Sequence, residues 1–153
     1  MDLSEFPMPK EGFVVTHFLI VQDAIASAKF YGHVFGGKVL HEGYPSFVKL
    51  ANTWLILNGP GGPTVDKPDY YLEAPTPESR TFRSFLNLRV ADIQQCYQDW
   101  KARGAEFLTE PKDMGAEWRA YIKDPDGYII EVGQIKDDPP ETLSNDWDGQ
   151  PKA

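Results

Sequence analysis

The chain is short of the groups from which disulfide frameworks and thiolate clusters are made. Cys96 is its single cysteine, so no intrachain disulfide can form and no cysteine cage for a metal can be assembled. That usage fits a reducing compartment. Histidine is scarce too, with His17, His33 and His41 the three present, and the last two read as ordinary helix and strand residues. Positive charge is outnumbered, 15 Lys and Arg against 23 Asp and Glu, for a formal net charge of -8. Such a balance argues against recruiting nucleic acid or anionic lipid through bulk electrostatics. No apolar run approaches the ~18 residues of a membrane span. Residues 1–12 (MDLSEFPMPKEG) lack the basic start and apolar centre of a secretory signal. The expectation is a cytoplasmic protein with neither nucleic-acid nor membrane partners.

What the chain does have is 41% hydrophobic and 13% aromatic residues over a length of 153, enough for one domain or two tightly packed small modules. Its most informative stretch is KDPDGYIIEVGQ, residues 123–134. Pro125 presets φ within a tight turn, and Asp126 and Gly127 tolerate the conformations that follow, so Arg119–Lys123 and Tyr128–Val132 are predicted to form a hairpin. The second strand is apolar except for Glu131. An unpaired buried carboxylate is very costly, so Glu131 faces either water or a cavity that uses its charge.

Upstream, Phe13–Val21 reads as a buried strand, followed by an N-cap at Asp23 and a helix over Ala24–Phe35 that Gly36-Gly37 ends. Ala24, Ala28, Tyr31 and Phe35 form its apolar stripe. Lys38–Glu42, Ser46–Leu50 and Thr53–Leu57 follow as short strands. Residues 58–80 are too rich in proline and glycine for a long regular element and read as a linker. The order then repeats. Thr81–Val90 is a strand, and Asp92 is an N-cap with Gln95 in capping-box position. Ile93, Cys96, Tyr97 and Trp100 mark a helix that Gly104 ends, and three strand segments complete the pass.

This is an internal duplication, with an extension at 1–12, modules at 13–57 and 81–135 around the 58–80 linker, and an acidic tail at 136–153 expected to be partly disordered. Superposing Asp23 on Asp92 aligns Thr16 with Phe85, Phe18 with Asn87 and Ile20 with Arg89. By alternation, the face away from the helices carries Phe85, Asn87, Arg89, Arg119, Tyr121 and Glu131 in the second module and Phe18, Phe47, Lys49, Leu55 and Leu57 in the first. Aromatic walls with a few convergent polar groups are the makeup of a small-molecule pocket. Arg89 and Arg119 could grip a carboxylate or phosphate, or neutralise Glu131.

With THFLIVQDAIASAKFYGHVFGG, FLNLRVADIQQCYQDWKARGAEF and the DPDGYIIEV close, the chain resembles the vicinal oxygen chelate superfamily over roughly residues 13–134. That group holds glyoxalase I, bleomycin-resistance proteins, fosfomycin-resistance enzymes and extradiol dioxygenases. The resemblance implies an α+β fold of two βαβββ modules forming a U-shaped cleft, often as a homodimer. In its metal-dependent members, a His or Gln on the first strand and a Glu on the last strand of each module hold a divalent ion. Carried over, Glu131 falls on a ligand position, Leu57 stands at the matching place in the first module, and Phe85 replaces a second-module His. Thr16 occupies the first-strand position, leaving His17 one residue out of register and pointing into the helix packing unless a bulge re-aims it. The expectation is a protein that binds a small organic molecule, an anion among the candidates, with no obligatory cofactor and no catalytic residue assigned. The alternative is a metal-dependent lyase, transferase or dioxygenase holding a divalent metal through His17 and Glu131.

Overall fold

The computed structural model describes residues 3–6 and 8–136. The expectations for the tail therefore lie, beyond Lys136, outside the described residues. The chain divides into two compact units at Pro75 and Thr76.

In the first unit, β1 (His17–Ile20) leads into α1 (Ala24–Phe35), and β2 (Lys38–His41), β3 (Ser46–Leu50) and β4 (Thr53–Asn58) follow. Helix α1 starts where Asp23 turns extended and its carboxylate accepts the Ala26 N–H at 2.9 Å. It stops at Gly36, whose φ of 75° is left-handed backbone that glycine adopts without penalty. The sheet order is β1-β4-β3-β2, with β1 parallel to β4 and the other pairs antiparallel. Leu19, Leu55, Leu57, Val48 and Ser46 share one face and are buried, as are Ala24, Ala28, Tyr31 and Val34 of the helix that covers it. The strand expected from Phe13 is shorter, because pairing with β4 begins only at His17. Phe13 and Val15, upstream of that pairing, are 83% and 78% exposed.

The second unit repeats the plan: β5 (Leu86–Arg89), α2 (Ile93–Ala102), β6 (Glu106–Phe107), β7 (Lys112–Asp113), β8 (Glu117–Lys123) and β9 (Ile129–Ile135). Its order is β5-β9-β8-β6, β5 parallel to β9, with the unforeseen β7 pairing β8. The strand expected over Thr81–Val90 shortens to four residues, since its partner β9 is engaged from Ile130 on. Leu86, Leu88, Ala120, Ile122, Ile130 and Val132 occupy the helix side of this sheet.

The α2 cap differs from the expected box. Asp92 accepts the Gln95 N–H at 3.1 Å, but the Gln95 amide turns forward to Asp99 rather than back. The orphan N–H of Ile93 goes instead to Gln134 Oε1 on β9, at 2.8 Å. Of the predicted stripe, Ile93 is buried while Cys96, Tyr97 and Trp100 are half-buried. The protein is thus an α+β chain of two βαβββ modules. Among the described residues no helix is long and apolar enough to cross a membrane.

Candidate functional site

The β8–β9 hairpin sets the register on which the site depends. The Asp124 carboxylate accepts the N–H groups of Asp126 and Tyr128, both at 2.9 Å, and the Asp124 N–H donates to Tyr128 O. Gly127 takes φ +96°, and a Cβ there would lie 2.2 Å from the Thr76 carbonyl oxygen. With the turn so fixed, Tyr121 stands opposite Glu131 and Arg119 opposite Gly133, while β5 brings Asn87 to Glu131 and Arg89 to Gly133. Two rows result on the face away from α2: Asn87–Glu131–Tyr121, and Arg89–Gly133–Arg119.

Glu131 is buried, and its oxygens are occupied. Oε1 accepts from Asn87 Nδ2 at 3.0 Å and Oε2 from the Tyr121 hydroxyl at 2.7 Å. Arg119 Nε and Arg89 Nη1 stand 3.8 and 3.9 Å from Oε1. The closer partner of both arginines is Glu117, which accepts from Arg89 Nη2 at 2.6 Å and Arg119 Nε at 2.9 Å. Those two hydrogen bonds hold the Glu117 carboxyl below the usual carboxylate range. Burial, then the hydrogen bond to Glu131, pushes the Tyr121 phenol up, so it remains a neutral donor. Phe85, 41% exposed, places its ring edge-on to Tyr121 with centroids 5.9 Å apart.

Two features of this site were not read from the sequence, the pairing of Glu117 with both arginines and the need for glycine at position 133. Glu117 is the acceptor that ties the arginines together. Gly133 lets the Arg89 guanidinium lie across β9, for a Cβ there would fall 2.0 Å from Nη1. An interior strand glycine is a known mark of close approach, and that was the available signal.

In the first unit the register corrects the reading of β4. Phe18 pairs with Ile56 and Ile56 with Phe47, the row that matches Asn87–Glu131–Tyr121. Ile56, not Leu57, therefore stands where the second unit has Glu131. Leu57 and Leu55 are fully buried on the helix side and line no helix-distal surface. His17 shares that helix side, opposite Leu55, and burial holds its imidazole below the usual range. It is not presented beside Phe18 as a ligand. Phe18 and Lys49 are exposed on the helix-distal face, and Phe47 is half-buried there.

A divalent ion fits these donors poorly. On the pattern that the resemblance implies, with Ile56 in place of Leu57, the four ligand positions hold Thr16, Ile56, Phe85 and Glu131, of which one is a carboxylate. Binding an ion at Glu131 would require displacing two hydrogen-bond donors beside two guanidinium groups, whereas a catalytic centre needs about three protein ligands. Among the described residues no three His, Cys, Asp or Glu side chains come together as a metal cage.

A duplicated βαβββ chain with a polar, arginine-bearing sheet face defines the class. Residues 14–132 match the family model of the Glyoxalase/Bleomycin resistance protein/Dioxygenase superfamily, and the chain belongs to that superfamily. It is 25% identical over 135 residues to a lactoylglutathione lyase of Arabidopsis thaliana, covering 87% of this chain and 48% of the lyase. It therefore spans about half that relative's length. It is also 25% identical over 125 residues to the metallothiol transferase FosB of Staphylococcus epidermidis, covering 76% of this chain and 79% of the transferase. Among solved structures, TnmS3, an antibiotic binding protein from Streptomyces sp. CB03234, aligns with a TM-score of 0.59 at 21% identity, covering 84% of this chain and 99% of that one. A glyoxalase/bleomycin resistance protein/dioxygenase from Nocardioides aligns with a TM-score of 0.64 at 20% identity over 88% and 91% of the two chains.

Proposed function

We propose that the protein binds a small organic anion on the helix-distal face of its second sheet, with no obligatory metal. The observation that carries this reading is the division of labour around Arg119. Its Nε is engaged by Glu117, yet among the described residues neither of its terminal nitrogens donates a hydrogen bond. A guanidinium oriented through Nε presents its outer nitrogens as a ready fork for a carboxylate or phosphate. Glu117 and Glu131 balance the charge of the two arginines, so an anion is held there by the hydrogen bonds of the Arg119 fork rather than by a net positive charge. Phe85 and Tyr121 supply an aromatic flank, in keeping with an organic rather than inorganic anion. The existence of an antibiotic binding relative of the same fold makes a binding role reasonable without chemistry.

The test is a thermal-shift and calorimetric screen of aryl carboxylates and phenyl phosphate. Arg119→Ala is expected to weaken binding of any hit by roughly 10- to 100-fold, the worth of a charge-assisted hydrogen bond or two. No stabilisation by any of these anions, or an Arg119→Ala variant that binds as well, overturns the reading. The second reading, a metal-dependent lyase, transferase or dioxygenase, is supported by Glu131 standing at a ligand position. It predicts stoichiometric metal in protein purified without chelator and its loss in Glu131→Ala. A homodimer is the expected assembly, to be measured by light scattering.

A further inference from the structure

On the helix-distal face of the first sheet the chain covers itself. Leu3–Glu5 forms a single 3-10 turn, and Phe6 after it is 7% exposed although it belongs to no sheet or long helix. Its ring meets Phe47 and Trp54 edge-on, with centroids 5.2 and 5.1 Å away, and those two rings are themselves 5.5 Å apart. The preceding carboxylate, Glu5, reaches Lys38 Nζ at 2.9 Å, and Lys38 pairs across the ladder with Lys49, whose Nζ meets no acid among the described residues. The Trp54 indole N–H is buried without an acceptor among the described residues. A buried donor left unmade is costly, and water cannot reach it here.

We propose that this face is a binding site for arylalkanoates, molecules with an aromatic ring and a carboxylate a few bonds away, and that Glu5-Phe6 is a built-in occupant of it. The segment presents both halves of such a ligand, a phenyl ring in the Phe47/Trp54 corner and a carboxylate on a lysine at the rim. The rings give the corner its preference, since edge-to-face aromatic pairs favour a ring over an aliphatic group of similar size. The rim lysines select the sign of the charge. A free ligand bringing an additional acceptor would satisfy the Trp54 N–H, which Phe6 cannot do. Because the competent, uncovered state is a fraction of the population, the apparent affinity of the intact chain is reduced by that fraction. The site lies in the first unit and does not depend on the anion fork of Arg119.

The experiment uses 4-phenylbutyrate as probe, titrated calorimetrically into the full chain in an Arg119→Ala background, which silences the fork of the second unit. Replacing Glu5 and Phe6 together by Ala is expected to tighten binding roughly tenfold, as the uncovered fraction approaches one. Adding Lys38→Ala should remove most of that gain, and butyrate, lacking the ring, should bind neither protein. Should the double variant fold poorly, Glu5→Gln alone keeps the Phe6 ring in place and is expected to tighten binding by a smaller factor. Equal affinity with and without the segment, a gain that survives Lys38→Ala, or no binding by any variant would each overturn the proposal. Anion binding by the second unit that is unchanged in Arg119→Ala would count against that unit's reading, not against this one.

Discussion

Gly127 and Gly133 sit six residues apart, and each leaves no room for a side chain, but their substitution should have unequal consequences. At Gly133 the obstructing atom is the far end of the Arg89 side chain, which can swing away. Gly133→Ala is therefore expected to cost about 1 kcal/mol of stability, the low end of overpacking strain. It should still weaken anion binding, because evicting Arg89 leaves Glu117 pulling on Arg119 alone. A urea melt paired with a titration checks both halves, and a large stability loss with unchanged binding would refute the argument. Residue-scale legibility followed the same line. Glu131 could be singled out from its apolar strand, and its partners Asn87, Arg89, Arg119 and Tyr121 could be named by alternation. Leu57 was placed by alternation and resemblance without the register, and one residue along a strand is a change of face. The pairing of Glu117 with the two arginines was not legible, because an acid near a strand end normally reads as solvated.

At the scale of elements, the β8–β9 turn and the α2 cap do the positioning. Gly127→Ala meets backbone, not a flexible tip, and does so at a φ of +96°. Strain and collision together should cost roughly 2–4 kcal/mol, read as a drop in unfolding midpoint. Gln134→Ala removes the acceptor for the Ile93 N–H and should cost about 1 kcal/mol, the usual value of an N-terminal cap. A neutral result there would mean that water replaces the glutamine. Both helices, their N-caps and the DPDG turn were legible because their signals are local. The two-residue β7 and the cap from Gln134 were not, since each depends on a partner distant in sequence.

For the molecule as a whole, the duplication leaves two sheets of opposite character. The row Phe18–Ile56–Phe47 is apolar where Asn87–Glu131–Tyr121 is polar, and acid should find each unit through a different group. In the first, burial lowers the His17 pKa, so the unfolded chain takes up a proton before the folded one. Its contribution is intact above the unfolded value of about 6.5 and drains away as pH falls through the lower folded value. In the second, Arg89 and Arg119 depress Glu117, whose contribution is intact above the unfolded value of about 4.3 and is lost only below that. Stability followed by urea unfolding from pH 8 downward should thus fall in two stages. His17→Gln should flatten the upper stage and leave the lower, and Glu117→Gln should do the reverse. A chain whose stability is level between pH 7 and 5, or whose upper decline persists in His17→Gln, would show that the partial burial of His17 on the helix side does not set the upper stage.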